Sequence, residues 1–295
     1  MNHPIQITFA LSSFYPDHRA GTETYVLNLS KELIQLGYKV SVIIPAVAKP
    51  SSIYEFDGIQ IYTFSVPLKI STKELNGLEI PTGLPEFESL LKQLKPDIFH
   101  MHSLSRSLHA VHLKMAAVLG IKTVFTAHLG STFCVKGDLL LHGEGQCNGF
   151  VESQRCLSCF IKENRKFSKG KSKLTAGFIN QLIIKSPIGN KWPALHIVSN
   201  KIKQLQILKS YSNQNIAIAN WLDTVFKING LNNTSIIPQG INSGFMDGFE
   251  QTQKSNTKIN LVFVGRMHPD KGVHLILDAF ESMDKQHFNF IMVTM

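Results

Sequence analysis

The sequence predicts an α/β fold, a doubly wound parallel sheet followed by the start of a second α/β domain. Three observations predict it. Short apolar runs alternate with stretches of three-to-four-residue helical periodicity along most of the chain. Several of the runs are apolar throughout, as strands buried on both faces must be. After a polar stretch at 251–258, one further strand–helix–strand unit begins, the building block of such sheets.

Residues 5–11 form a short β-rich run that leads into a loop containing Pro16 and Gly21. Tyr25, Val26, Leu29, Leu33 and Leu36 then recur at helical spacing, with Thr22 or Thr24 as candidate N-cap and Gly37 as the C-cap glycine. Strands are expected at 40–44 and 59–64, and a second helix at 84–94 is closed by Pro96. Strands at 97–102 and 123–128 flank a helix at 104–119. The rhythm breaks at 134–173, a glycine-, cysteine- and lysine-rich insertion. Helix and strand signals return at 174–184, where an apolar stripe marks a helix, and at 194–209, 215–219 and 221–228, with a short strand at 235–238. Strands at 259–264 and 288–293 enclose a helix at 272–280. The expected domains are 1–250, carrying the insertion, and 257–295, a second domain that begins and is not completed.

Apolar residues make up 43% of the 295 and charged residues 17%, which excludes disorder as the overall state. No apolar run approaches the roughly 18 residues of a membrane span, and the N-terminus lacks a basic signal-peptide segment. A cytoplasmic location is therefore expected, with the cysteines as thiols or metal ligands instead of disulfides. Thirty Lys and Arg face 21 Asp and Glu, a net charge of +9 that suits an anionic partner. Six of these cations lie between Lys162 and Lys173, with Glu163 the single acid. Phe167 is the only aromatic within that run and no nucleic-acid motif accompanies it, so no nucleic-acid partner is expected. The run leads into Leu174, Phe178, Ile179, Leu182 and Ile183, an apolar helical stripe. Two readings stay open: adsorption to an anionic membrane on the cytoplasmic face, or packing onto the domain with the lysines solvated.

Three groups of residues carry candidate chemistry. Gly21 and Thr22 open the first helix, where a small residue and free N–H groups suit phosphate. Arg266 and Lys271 flank a turn directly after a strand, a place where parallel sheets bind ligands. Cys134, Cys147, Cys156 and Cys159 have the spacing C-x12-C-x8-C-x2-C, which suits a structural zinc, with an iron–sulfur cluster or free thiols as the alternatives. Such a zinc would order a loop with few apolar residues of its own. His100 and His102 alternate on one strand and read as packing residues, since no third ligand is in view.

The order of Gly21-Thr22-Glu23-Thr24-Tyr25, Leu36-Gly37-Tyr38-Lys39-Val40, Pro96-Asp97-Ile98-Phe99-His100-Met101-His102, Thr126-Ala127-His128, Ile236-Ile237-Pro238-Gln239-Gly240-Ile241, Gly265-Arg266 and Lys271-Gly272 resembles the retaining family 4 glycosyltransferases of the GT-B fold. The resemblance implies an N-terminal acceptor domain and a C-terminal domain that holds a nucleotide sugar. It implies diphosphate contacts from Arg266 and Lys271, with Gly21 and Thr22 abutting the same phosphates and no catalytic metal. His128 would face the transferring sugar as the catalytic residue, and the acceptor would be a cell-surface glycan or a lipid-linked precursor. Ala20 stands where the family usually has a first glycine, and Leu129 follows His128 where a polar residue is usual. The family's pair of glutamates eight positions apart has no counterpart here, so this chain alone is expected to be inactive. The alternatives are a non-catalytic remnant or partner protein, and a zinc-containing nucleic-acid-binding protein.

Overall fold

The computed structural model describes residues 3–165, 169–182, 193–240, 258–265, 267, 271–284 and 286–294; the side chains of 163–165, 169–170, 178–182 and 193–194 lie outside that description. The chain forms two compact units, Met1–Ile241 and Asn242–Met295.

In the first unit, β1 (Gln6–Ala10) leads to α1 (Gly21–Gln35), followed by β2 (Lys39–Val47), β3 (Ile53–Phe56) and β4 (Ile59–Val66). After α2 (Thr72–Leu75) and α3 (Leu84–Leu94) come β5 (Ile98–His102), α4 (Ala110–Val118) and β6 (Lys122–Ala127). The insertion holds a two-stranded hairpin of β7 (Leu140–Leu141) and β8 (Gly145–Gln146), then α5 (Ser153–Arg165) and α6 (Lys169–Leu182). α7 (Pro193–Tyr211), β9 (Gln214–Ala217), α8 (Asn220–Ile228) and β10 (Thr234–Ile236) complete the unit.

Among the described residues the main sheet has eight strands in the order β10-β9-β6-β5-β1-β2-β4-β3. Every pairing in it is parallel except that of β3 with β4. The expected doubly wound α/β fold is present. β1 lies between β2 and β5, so strand order reverses there, and the carboxyl ends of β1 and β5 border the crevice where such sheets take ligands.

Strand alternation sorts the core onto two faces. Ile7, Phe9 and Leu11 join Val26 and Leu27 of α1, Val42, Ile44, Ile59 and Ile61 on one face. Ala10, Ile43, Phe99, Met101, Phe125 and Ala127 face the other way, against Phe87 and Leu91 of α3, Leu113 of α4 and Leu208 of α7. His100 and His102 alternate with Phe99 and Met101, so they point to the α1 face, where Phe9 packs on both rings at 5.4 and 5.3 Å.

The expectations for local structure hold at some ends and fail at others. Gly37, at φ +87°, ends α1 with its N–H on Ile34 O while the Tyr38 N–H reaches Leu33 O. Neither Thr22 nor Thr24 caps the start. The N-cap is Ala20, without a side-chain bond, and the Thr24 hydroxyl meets Tyr15 Oη at 3.0 Å. The helix expected at 104–119 begins only at Ala110, because His109 is extended and caps it together with His112.

The insertion is not the apolar-poor loop expected from its sequence. Leu157 and Ile161 of α5, Ala176 of α6, and Leu195 and Val198 of α7 form a buried cluster of their own. Its order therefore comes from apolar packing. Lys162 is not a free surface cation. Its ammonium is held by His142 O at 2.7 Å and by the Glu144 carboxylate. Leu174, at the head of the expected membrane stripe, is exposed, whereas the side chains of Phe178, Ile179, Leu182 and Ile183 lie outside the described residues.

The second unit pairs β11 (Ile259–Val264) in parallel with β12 (Phe288–Val293), with α9 (Val273–Glu281) between them in sequence. Ile259, Val262, Val264, Ile291 and Val293 are all exposed.

Candidate active site at the carboxyl ends of the strands

β6 ends at Ala127, and the next residue, His128, continues the alternation of Thr126 onto the α1 face. Its backbone N–H donates to Ser103 Oγ at 3.1 Å. Ser103 follows β5 directly and sits at φ +62°, a strained conformation for a residue with a Cβ and one that clusters at functional sites. The two strand ends are thus tied together above the sheet.

The His128 ring is engaged on both nitrogens. Nε2 lies 2.9 Å from His102 Nδ1, and Gln239 Nε2 donates to Nδ1 across 2.7 Å. Tyr25, from the second turn of α1, packs edge-on at 5.5 Å. His102 in turn stacks on His100 at 4.1 Å, and His100 Nε2 bonds Thr126 Oγ1 at 2.7 Å. Burial lowers the His128 pKa to about 4, partly opposed by the Glu23 carboxylate. Burial, followed by the proximity of His128, lowers His100 to about 3. His102 is held well below its ordinary value by burial and by both neighbouring rings. The stack is therefore neutral at neutral pH.

Gly21 and Thr22 begin α1, whose first described turn bond runs from Thr24 N–H to Ala20 O. A Cβ on Gly21 would meet nothing within 4 Å, so its bare backbone is not required by packing and leaves the space over the helix start open. Glu23 is buried and accepts from Ser13 Oγ at 2.5 Å. The structure thus gathers the start of α1 and His128 at one end of one sheet, joined by Tyr25. Lys271 belongs to the other unit, immediately before Gly272, the N-cap of α9. Arg266 lies outside the described residues.

The four cysteines are free thiols lining one small cavity beyond Phe133. Two of the sulfurs accept hydrogen bonds from the protein. Arg155 donates to Cys147 Sγ at 3.3 Å, and the His142 N–H donates to Cys159 Sγ at 3.1 Å. Burial raises Cys156 to about 11 and also raises Cys159. Among the described residues no three His, Cys, Asp or Glu side chains are arranged to hold a metal, so the expected zinc finds no support. His100 and His102 are packing residues as expected, and His102 is also a partner of His128. Gln239 and Tyr25 went unweighted in the sequence. The alternation of His100 and His102 was the available signal for the first part of the network, and nothing local marks the rest.

The family model for Glycosyltransferase Family 4 matches residues 19–145, a stretch that includes the start of α1, both strand ends and His128. Over residues 19–145 the chain is similar to glycosyltransferase family 4. Two curated relatives align with part of this chain. A human phosphatidylinositol N-acetylglucosaminyltransferase subunit is 28% identical over 119 residues, 40% of this chain and 24% of that protein. The Schizosaccharomyces pombe gpi3 subunit of the same transferase is 31% identical over 132 residues, 44% of this chain and 28% of that protein. The aligned stretch thus spans about a quarter of the length of either relative. Among solved structures, the catalytic domain of starch synthase IV from Arabidopsis thaliana, bound to ADP and acarbose, superposes with a TM-score of 0.51. It is 12% identical, with 99% of this chain and 69% of that one covered. An apo OtsA structure gives 0.52 at 11% identity, covering 98% and 65%. These likenesses show a GT-B-type α/β fold. No helix among the described residues is long and apolar enough to cross a membrane.

Proposed function

We propose that this chain is the acceptor-side domain and the beginning of the donor-side domain of a retaining glycosyltransferase. Such an enzyme moves a sugar from a nucleotide sugar to a lipid-linked or cell-surface glycan acceptor, and this chain by itself is expected to turn over little or not at all. The observation that carries this reading is the meeting of the open start of α1 with the buried, neutral His128 at the switch point of the sheet. The unpaired N–H groups of the first turn offer partial positive charge to a diphosphate. His128 faces the transferring sugar. Arg266 and Lys271 stabilise the negative charge that grows on the leaving diphosphate, so the step is driven by preorganised electrostatics and not by a metal. The names of the two curated relatives support a phospholipid acceptor, and with it peripheral contact with an anionic membrane on the cytoplasmic face.

The test is transfer of radiolabel from UDP-, GDP- and ADP-sugars to phosphatidylinositol vesicles, together with calorimetric titration of the same nucleotide sugars. Saturable binding that is lost in Lys271→Ala and weakened in Gly21→Val supports the reading. Indifference of the chain to every nucleotide sugar and every vesicle overturns it.

A further inference from the structure

We propose that His102 and Gln239 are positioning residues that fix the tautomer of His128, leaving its Nδ1 a bare acceptor that selects a hydrogen-bond donor on the ligand. The argument is one of proton accounting. The amide nitrogen of Gln239 can only donate, so His128 Nδ1, 2.7 Å away, accepts. A neutral imidazole carries one proton, which must then sit on Nε2 and point at His102 Nδ1, 2.9 Å away. His102 Nδ1 therefore accepts, and its own proton is forced onto Nε2. That atom is buried and has no partner among the described residues. A buried donor without a partner is costly, and its presence here is explained by the polarity imposed along the chain of rings.

The two partners of His128 differ in burial. His102 is 2% exposed, stacked on His100 and against Phe9. Gln239 is exposed, on the segment after β10. The amide can leave and His102 cannot. A ligand that takes its place on Nδ1 meets an acceptor and must bring a hydroxyl or an N–H. The groups facing the ring are Glu23 and Tyr25 from α1, His102 and Ser103 from the end of β5, and Gln239. None supplies a positive charge that would reverse this polarity.

The tautomer follows from the network with the nitrogen of the Gln239 amide, and not its oxygen, facing Nδ1, whereas the identity of the ligand group as a sugar hydroxyl rests on the proposed transferase function. Long-range proton–nitrogen correlation on the full chain with nitrogen-15 histidine reads the tautomer directly, with His128→Asn used only to assign the signal. The expected spectrum has His128 protonated on Nε2. Gln239→Ala moves the Nδ1 resonance and leaves the Nε2 proton in place. Gln239→Glu, whose carboxylate accepts, transfers the proton to Nδ1. A wild-type ring protonated on Nδ1, or a Gln239→Ala spectrum identical to wild type, overturns the assignment. Titration with UDP-N-acetylglucosamine and its fluoro analogues, each hydroxyl replaced in turn, tests the selection. Loss of one hydroxyl donor should weaken binding about tenfold in wild type, one ordinary hydrogen bond, and not in Gln239→Glu. Equal binding of all analogues overturns the donor selection. A correct tautomer with no binding of the parent compound points instead to failure of the transferase reading.

Discussion

His100, His112 and His128 make folding pH-dependent in a calculable direction. Burial holds them at about 3, about 3 and about 4, below the ordinary value of 6.5. The unfolded chain takes up these protons below about pH 6.5 while the native chain does not, so stability is full above that pH and falls as pH drops. Each ring contributes about 1.4 kcal/mol per pH unit within the window, or up to about 4 kcal/mol per unit for the three. Urea midpoints at pH 7 and pH 5 should differ accordingly, and equal midpoints would show that the rings titrate in the folded chain. At Gly21 the expected effects separate. Gly21→Ala, with nothing within 4 Å of the new Cβ, should leave stability unchanged or raise it by up to about 1 kcal/mol, while weakening nucleotide-sugar affinity. Parallel melting and calorimetry check this. His128 was singled out by the family resemblance at Thr126-Ala127-His128, since a histidine at a strand end by itself reads as structural. Gln239 was not legible, because its partner is 111 positions away and only the folded sheet brings them together.

At the scale of elements, the insertion is where sequence reading missed most. Ser153-Gln154-Arg155-Cys156 is polar, and the apolar residues that hold α5, Leu157 and Ile161, are too few to declare a helix without α6 and α7 to cover them. β3 was missed for a similar reason, since half its residues face solvent on a sheet edge. The strands β1, β5 and β6 were legible because burial on both faces leaves them no choice of composition. The packing predicts an order of sensitivity. Leu157→Ala, at a fully buried site, should cost about 2–5 kcal/mol locally and open the insertion to protease. Cys156→Ser, only partly buried, should cost less. Limited proteolysis of the two variants side by side measures this. Equal or reversed sensitivity would return the cysteines to the leading role.

For the whole molecule, the two units differ in how well they are covered. The eight-stranded sheet has an apolar core on each face, whereas β11 and β12 make a two-stranded sheet with most of its apolar side chains exposed. Two strands and one helix are marginal on their own. Amide exchange should accordingly be slow in β1, β5 and β6 and fast, by orders of magnitude, in β11 and β12. Comparable protection of both would show that the second unit is covered in solution. The sheet order also sets a kinetic problem. β9 joins the edge of β6 only after residues 128–213 have been looped out, a closure whose entropic cost grows with the logarithm of loop length. The cluster shared by α5, α6 and α7 lies wholly inside that loop. Once it condenses, a long slack tether becomes a short compact one. If the cluster forms ahead of the β6–β9 pairing, the stretch from α5 to α7 would serve as an internal scaffold that lowers the closure cost of adding β9 and β10 to the sheet.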